Sequence, residues 1–169
     1  RVLTCRPDRH HLISLALWVR RRTDSVCSHV VARATPEGHG LGLYATRAIS
    51  KGETVVFYGG PCLPIKPAVT ESESEPAGTQ SGPSRTHSMR VSERHLPIEQ
   101  ATAVVIDGLC ISQMIGIDDP VDPLLSIAGA LMNSSRGVGE PNVRRTRGDA
   151  MFCRIGSGRY AACLLYTSD

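Results

Sequence analysis

The sequence predicts a mainly β fold with one short helix. Runs of β-branched and aromatic residues such as Thr54–Tyr58 and Ala103–Asp107 end at glycine turns, a pattern that is typical of short strands. Aromatic residues make up only 4% of the chain although hydrophobic residues make up 41%, so the core must be built from Val, Ile, Leu and Ala. This composition favours a folded, β-rich chain over a disordered one, and 169 residues suffice for one domain with a real core.

The N-terminal flank, residues 1–27, favours a helix that packs on the edge of the domain. His11–Val19 is an apolar run that ends at three consecutive arginines, and it is much shorter than the roughly 20 apolar residues that a membrane span requires. A short apolar run cannot be assigned to helix or strand by its period alone. A targeting peptide is the alternative, because arginine is plentiful, although Asp8 and Asp24 interrupt the pattern.

The stretch from Gly38 to Gly60 predicts a glycine turn, a strand, a tight turn and a second strand. Gly40 and Gly42 flank a single residue, so the backbone can adopt a positive φ and approach a ligand closely. Ser50–Glu53 has the composition of a turn, and Thr54–Tyr58 that of a buried strand. The glycines do not fit the G-x-G-x-x-G nucleotide fingerprint. An ordinary hairpin, with glycines that serve only its turns, is the alternative interpretation.

Further strands are predicted on both sides of a polar insertion. Residues 67–85 are rich in Pro, Ser and Glu and have too little apolar surface to offset the entropy of ordering, so we expect a disordered insertion there. The other predicted strands are His29–Ala34, Ala103–Gly108, Val143–Thr146, Met151–Ile155 and Arg159–Ala162.

Two aspartates are predicted to cap local structure. Asp107 follows a strand and is expected to hydrogen-bond the backbone of its own turn. The acidic run from Asp118 to Asp122 lacks the glycine and the terminal glutamate of a calcium loop, and its prolines favour a turn and a helix start with Asp122 as the cap. Leu124–Met132 then predicts the one short buried helix.

Several motifs occur in the order of a known family. They are Gly40-Leu41-Gly42, the turn Ile49–Glu53, the strand end Phe57-Tyr58-Gly59, and Asn133-Ser134-Ser135 followed by Pro141-Asn142. Together they resemble the SET domain, the fold of S-adenosyl-L-methionine-dependent protein lysine methyltransferases, in which the last motif reads N-H-S-x-x-P-N. This chain has serine in place of that histidine and a longer link before the proline. The resemblance covers about residues 28–162 and implies a β-clip of short curved strands.

The resemblance implies a protein lysine N-methyltransferase that uses S-adenosyl-L-methionine and acts on a protein substrate with a target lysine. It implies backbone contacts to the cofactor from Gly40, Leu41 and Gly42, further contacts from Asn133 and Ser134, and a catalytic position for Tyr58 at the lysine channel. Methyl transfer to a neutral amine depends on alignment more than on acid or base strength. The alternatives are a non-catalytic SET-like module that binds a partner, and a β-hairpin adaptor unrelated to the SET domain.

The C-terminal residues 163–169 do not resemble the continuation of a SET domain, which has the form I-x-x-G-E-E-L followed by Y-x-Y. They look like the translation of a sequencing adapter, so Tyr166 is not expected to be the second catalytic tyrosine. We therefore expect an incomplete SET domain, and a chain that is inactive as given.

Charge and cysteine usage narrow the class of protein further. A net charge of +3 is too mild to indicate a nucleic-acid partner. The six cysteines are scattered without any C-x-x-C pair, so the sequence predicts no zinc or other metal site. Reduced thiols in an intracellular monomer, in the nucleus or the cytoplasm, are expected, with no membrane partner and with an organelle as the alternative compartment.

Overall fold

The computed structural model describes residues 7–23, 29–36, 38, 40–64, 88–91, 104–132, 143–145 and 150–168. The predicted insertion at residues 67–85 lies outside these ranges. Within them the elements are, in chain order, α1 (Arg9–Arg22), β1 (Val30–Ala34), β2 (Leu41–Ala45), β3 (Thr54–Pro64), β4 (Ser88–Val91), β5 (Val104–Asp107), α2 (Leu109–Met114), a first 3-10 helix (Pro123–Ile127), a second 3-10 helix (Gly129–Leu131), β6 (Val143–Arg145), β7 (Met151–Ile155) and β8 (Gly158–Ser168).

The strands form two antiparallel sheets, accompanied by few helices. β1 and β2 pair as a two-stranded sheet, and the larger sheet has the order β4-β5-β3-β8-β6, with β7 also paired to β8. Glu53 closes the tight turn before β3. Its carboxylate accepts a hydrogen bond from the Ser50 N–H at 2.9 Å and forms an ion pair with Arg47 at 2.7 Å. The bond from Ser50, together with Arg47, lowers the pKa of Glu53. The predicted order of glycine turn, strand, tight turn and strand is confirmed.

The two longest strands, β3 and β8, pair along most of their length at the centre of the larger sheet. Their register runs from Thr54 opposite Thr167 to Pro61 opposite Tyr160, with irregularities near Val56 that bend the strand. The predicted strand Arg159–Ala162 is therefore too short, since β8 continues to Ser168 through residues that were assigned to a tail. Leu, Tyr and Thr suit a strand, and β3 and β6 offer pairing partners on both sides.

Helix α1 supplies one wall of the main core. Leu12, Leu15, Ala16 and Val19 recur at helical spacing, and each has 0% exposure. Asp8 caps the first turn by accepting a hydrogen bond from the His11 N–H at 2.8 Å. The N-terminal flank, residues 1–27, was expected to form a helix at the edge of the domain. Helix α1 does form, but its buried face packs against the first 3-10 helix and the larger sheet.

The predicted helix over Leu124–Met132 is replaced by the two 3-10 helices. Ala128 forms an isolated β-bridge with Tyr58 between them, which interrupts helical hydrogen bonding. Gly129 lies directly against β3, since a Cβ there would be 2.9 Å from the Phe57 carbonyl oxygen. Helix α2 was not predicted, because six residues carry too little periodicity to be recognised.

Candidate functional site

The glycine motif lies in a hairpin between β1 and β2. Ala34 pairs with Leu41, and the connecting loop is closed by a hydrogen bond from the Thr35 N–H to the Gly40 carbonyl at 2.9 Å. Gly40 has a φ of +98°, as the sequence predicted. Gly42 does not adopt a positive φ, because it lies within β2, where it pairs with Arg33.

Gly40 presents an open backbone on this loop. It is exposed, and a Cβ at this position would meet no atom within 4 Å among the described residues. Leu41 is half-buried and packs against the main core, and Gly42 is buried. Of the three residues in the motif, Gly40 is therefore the one that a ligand can approach most closely.

Thr35 adds a buried hydroxyl to the base of the same loop. The residue is 7% exposed, and its Oγ1 has no hydrogen-bond partner among the residues that the structure describes. A buried hydroxyl without a partner is costly, so such a group suits a ligand contact. Sequence reasoning missed Thr35, because a threonine before Pro36 reads as an ordinary turn residue.

Tyr58 is a buried residue of β3, with an exposure of 5%. It pairs with Cys163 of β8 and packs in a small cluster with Ile106. Its hydroxyl lies against Gly108, where a Cβ would be 3.0 Å from the Tyr58 Oη. The absence of a side chain at Gly108 is thus what makes room for the tyrosine ring.

The second predicted cofactor motif, with Asn133 and Ser134, lies outside the described residues. Met132 is the last described residue before this motif, and the second 3-10 helix ends just before it, at Leu131. This helix approaches β2 to within 8 Å between Cα atoms. Leu131 is buried in the same core against which Leu41 and Leu43 pack. The described residues that precede Asn133 therefore lie beside β2, the strand that follows Gly40.

Asp122 connects three parts of the chain. Its carboxylate has 0% exposure and accepts hydrogen bonds from the Arg9 guanidinium at 2.9 Å, the Gly116 N–H at 2.6 Å and the Leu124 N–H at 2.9 Å. The predicted helix cap is confirmed by the bond from Leu124. The bond from Arg9 was not predicted, since the two residues are 113 positions apart.

Three further described aspartates also make hydrogen bonds or ion pairs that support the fold. Asp107 accepts a hydrogen bond from the Leu109 N–H at 2.9 Å, which confirms its predicted role in the turn. Asp118 pairs with Arg33 at 2.6 Å, and Asp119 accepts a bond from the Val121 N–H at 3.1 Å. Across the described ranges, no group of three metal-ligating side chains converges.

Three of the described cysteines are poor nucleophiles. Burial raises the pKa of Cys62 and Cys110 to about 12, and burial also raises the pKa of Cys153. Because the thiolate is the reactive form, these side chains are unsuited to covalent catalysis at neutral pH. Among the described residues, the remaining candidate groups are therefore the backbone of Gly40 and the hydroxyls of Thr35 and Tyr58.

In the described part of the chain, no helix has the length and apolar character needed to cross a membrane. Comparisons of the chain with protein-family models, with curated proteins and with solved structures found no match.

Proposed function

We propose that the chain is an S-adenosyl-L-methionine-dependent protein lysine N-methyltransferase, with a SET-domain β-clip built from its short antiparallel strands. One observation carries the proposal. The strand after Gly40 lies beside the 3-10 helix that leads to Asn133, although the two motifs are far apart in the chain. A single cofactor has to touch both motifs, so the proximity of β2 to the described helix that precedes Asn133 supports a shared cleft.

The cofactor site in this proposal is built from both motifs. Gly40 contributes open backbone groups at a positive φ, while Leu41 and Gly42 hold the loop to the core. Asn133 contributes its side-chain amide and Ser134 its backbone. The buried Thr35 hydroxyl supplies a further polar contact at the base of the loop. Donors and acceptors around a partly apolar cleft are what a nucleoside with an amino-acid tail requires.

The methyl transfer is proposed to depend on alignment. Bound S-adenosyl-L-methionine would supply an activated methyl group, and the protein's part would be to align a neutral lysine amine with it. Tyr58 is proposed to orient the amine through its hydroxyl, which lies in an apolar setting beside Gly108. A hydroxyl can accept a hydrogen bond from the amine without attacking the cofactor.

Binding calorimetry with a pair of matched glycine variants tests the cofactor site. Gly40 and Gly52 have similar positive φ angles of +98° and +81°, and a Cβ at either position meets no described atom within 4 Å. Gly40→Ala and Gly52→Ala should therefore each cost about 1 kcal/mol of stability through backbone strain. Only Gly40→Ala should weaken S-adenosyl-L-methionine binding, by about tenfold or more, because the distorted loop faces the ligand.

The same titration includes Asn133→Ala, which should also weaken binding. If wild-type protein gives no heat of binding with S-adenosyl-L-methionine, the proposal is wrong. If Gly40→Ala and Gly52→Ala bind the cofactor equally to wild type, the glycine loop is not part of the site.

The burial of Tyr58 favours one alternative function, a non-catalytic SET-like module that binds a partner protein. A tyrosine with 5% exposure needs a channel to reach a substrate lysine. A module of this kind would keep the fold and the glycine loop without binding S-adenosyl-L-methionine. Absence of cofactor binding in a protein that melts cooperatively would support the module over the enzyme.

A further inference from the structure

A groove lies on the opposite side of α1 from the helix face that enters the core. It encloses about 380 Å³ and is bordered by α1 and by Cys153–Ile155 of β7. Leu17, Trp18 and Arg21 line its helical wall, at spacings that place them on one face of α1. Leu17 is 44% exposed and lies beside the half-buried Trp18 in this wall.

The groove borders β7, a strand with one edge that has no described strand partner. Among the described residues, β7 pairs only with β8, so its other edge has no strand partner. Cys153 and Ile155 pack toward the main core, whereas Phe152 packs on the opposite face of the sheet. Arg154 shares the face of Phe152, because residues two apart point the same way. The groove touches Cys153, Arg154 and Ile155, so it follows the strand over three consecutive residues.

The border of the groove is cationic. Arg21 and Arg154 line it, and none of the described lining residues is acidic. The guanidinium of Arg22 lies 4.7 Å from the centre of the Trp18 ring, which adds a third positive charge next to the tryptophan. Leu17 and Ile155 supply the apolar part of the wall. The groove thus combines a strand edge without a described partner, an apolar wall and positive charge.

We propose that this groove docks an extended acidic segment of a partner protein, which adds to β7 as an antiparallel or parallel strand. The peptide backbone would pair with the open edge of β7, and alternate side chains would point into the groove and out of it. Apolar side chains would pack on Leu17 and Trp18, and carboxylates would pair with Arg21 and Arg154. This interaction surface is separate from the cofactor site and does not depend on methyl transfer.

Trp18 makes the proposal directly measurable, because it is the only tryptophan in the chain. The probe is a short synthetic peptide in which glutamate alternates with leucine, and the readout is the fluorescence of Trp18. We expect a saturable change with this peptide and a much weaker one with a peptide that alternates lysine with leucine. Raising the salt concentration should weaken binding, since part of the attraction is between exposed charges.

Two neighbouring arginines provide a matched pair of variants. Arg21→Glu and Arg20→Glu change the charge equally in the last turn of α1, and both side chains are exposed, but only Arg21 lines the groove. Arg21→Glu should raise the Kd for the acidic peptide about tenfold, and Arg20→Glu should change it by about twofold or less. Unchanged circular dichroism in both variants shows that the fold is retained.

Backbone pairing is tested by changing the peptide alone. A version with N-methyl groups on alternate residues cannot donate the hydrogen bonds of a strand, so it should bind at least about tenfold more weakly. Equal binding of the methylated peptide would overturn strand addition. Equal binding of the acidic and basic peptides, stronger binding of a single-stranded oligonucleotide, or concentration-dependent self-association that Arg21→Glu abolishes would overturn the proposed acidic protein partner.

Discussion

Replacement of Asp122 by alanine is expected to destabilise the protein by about 3 kcal/mol. The carboxylate is fully buried and accepts hydrogen bonds from the Gly116 and Leu124 backbones as well as from Arg9. Asp122→Ala leaves the two N–H groups without their acceptor, at about 1 to 3 kcal/mol for each unsatisfied group. Arg9 has a half-exposed side chain, so its charge can return to water and adds less to the cost. Urea denaturation followed by circular dichroism measures the change.

Asp119→Ala is the control for this substitution. Asp119 is only half-buried, and its described hydrogen bond is a local one from the Val121 N–H. We expect a loss of stability below about 1 kcal/mol, as for an exposed turn residue. If both variants lose the same stability, Asp122 does not hold α1 and the first 3-10 helix together.

Gly129→Ala is expected to lower stability by about 2 to 3 kcal/mol and to weaken S-adenosyl-L-methionine binding as well. A Cβ at Gly129 would lie 2.9 Å from the Phe57 carbonyl oxygen and 3.0 Å from the Tyr58 Cα. These are backbone atoms in the central strand β3, so the second 3-10 helix has to move instead. That helix leads to Asn133, and its displacement should misplace the proposed cofactor contact. Thermal melting and binding calorimetry together measure both effects.

Gly52→Ala separates this packing effect from the general cost of replacing a glycine. Gly52 is exposed, with open space around it in the described structure, so its alanine variant should lose about 1 kcal/mol and retain full cofactor affinity. A Gly129→Ala protein with wild-type stability would mean that the 3-10 helix does not pack tightly on β3.

Features of the fold that depend on neighbouring residues could be predicted from the sequence. The strand Thr54–Tyr58, the glycine turn before it and the capping roles of Asp107 and Asp122 follow from residue types at short spacing, and each is confirmed. Residue propensity and turn chemistry act over a few positions, which is why one sequence suffices to recognise them.

Features that depend on distant partners could not be predicted. The length of β8 is set by its pairing with β3, and the split of the predicted helix at Ala128 is set by a bridge to Tyr58. The bond between Arg9 and Asp122 joins residues 113 positions apart, and no local pattern signals it. Burial of Tyr58 likewise results from tertiary packing against Gly108.

The candidate site was predicted in part. Gly40 has the expected positive φ. Gly42 does not, because it pairs within the β1–β2 sheet as any strand residue can. The roles of Tyr58, Asn133 and Ser134 rest on the resemblance and stay predictions. The burial of the Thr35 hydroxyl and the groove beside α1 result from tertiary packing, so the sequence alone could not predict them.

Hydrogen–deuterium exchange with and without S-adenosyl-L-methionine tests most directly whether the two motifs form one cleft. We expect slower exchange on addition of the cofactor in the peptide that covers Gly38–Ala45 and in the peptide that contains Asn133, with no change in α1 (Arg9–Arg22). Unchanged exchange in both motifs, or protection of only one of them, would contradict a shared cofactor cleft.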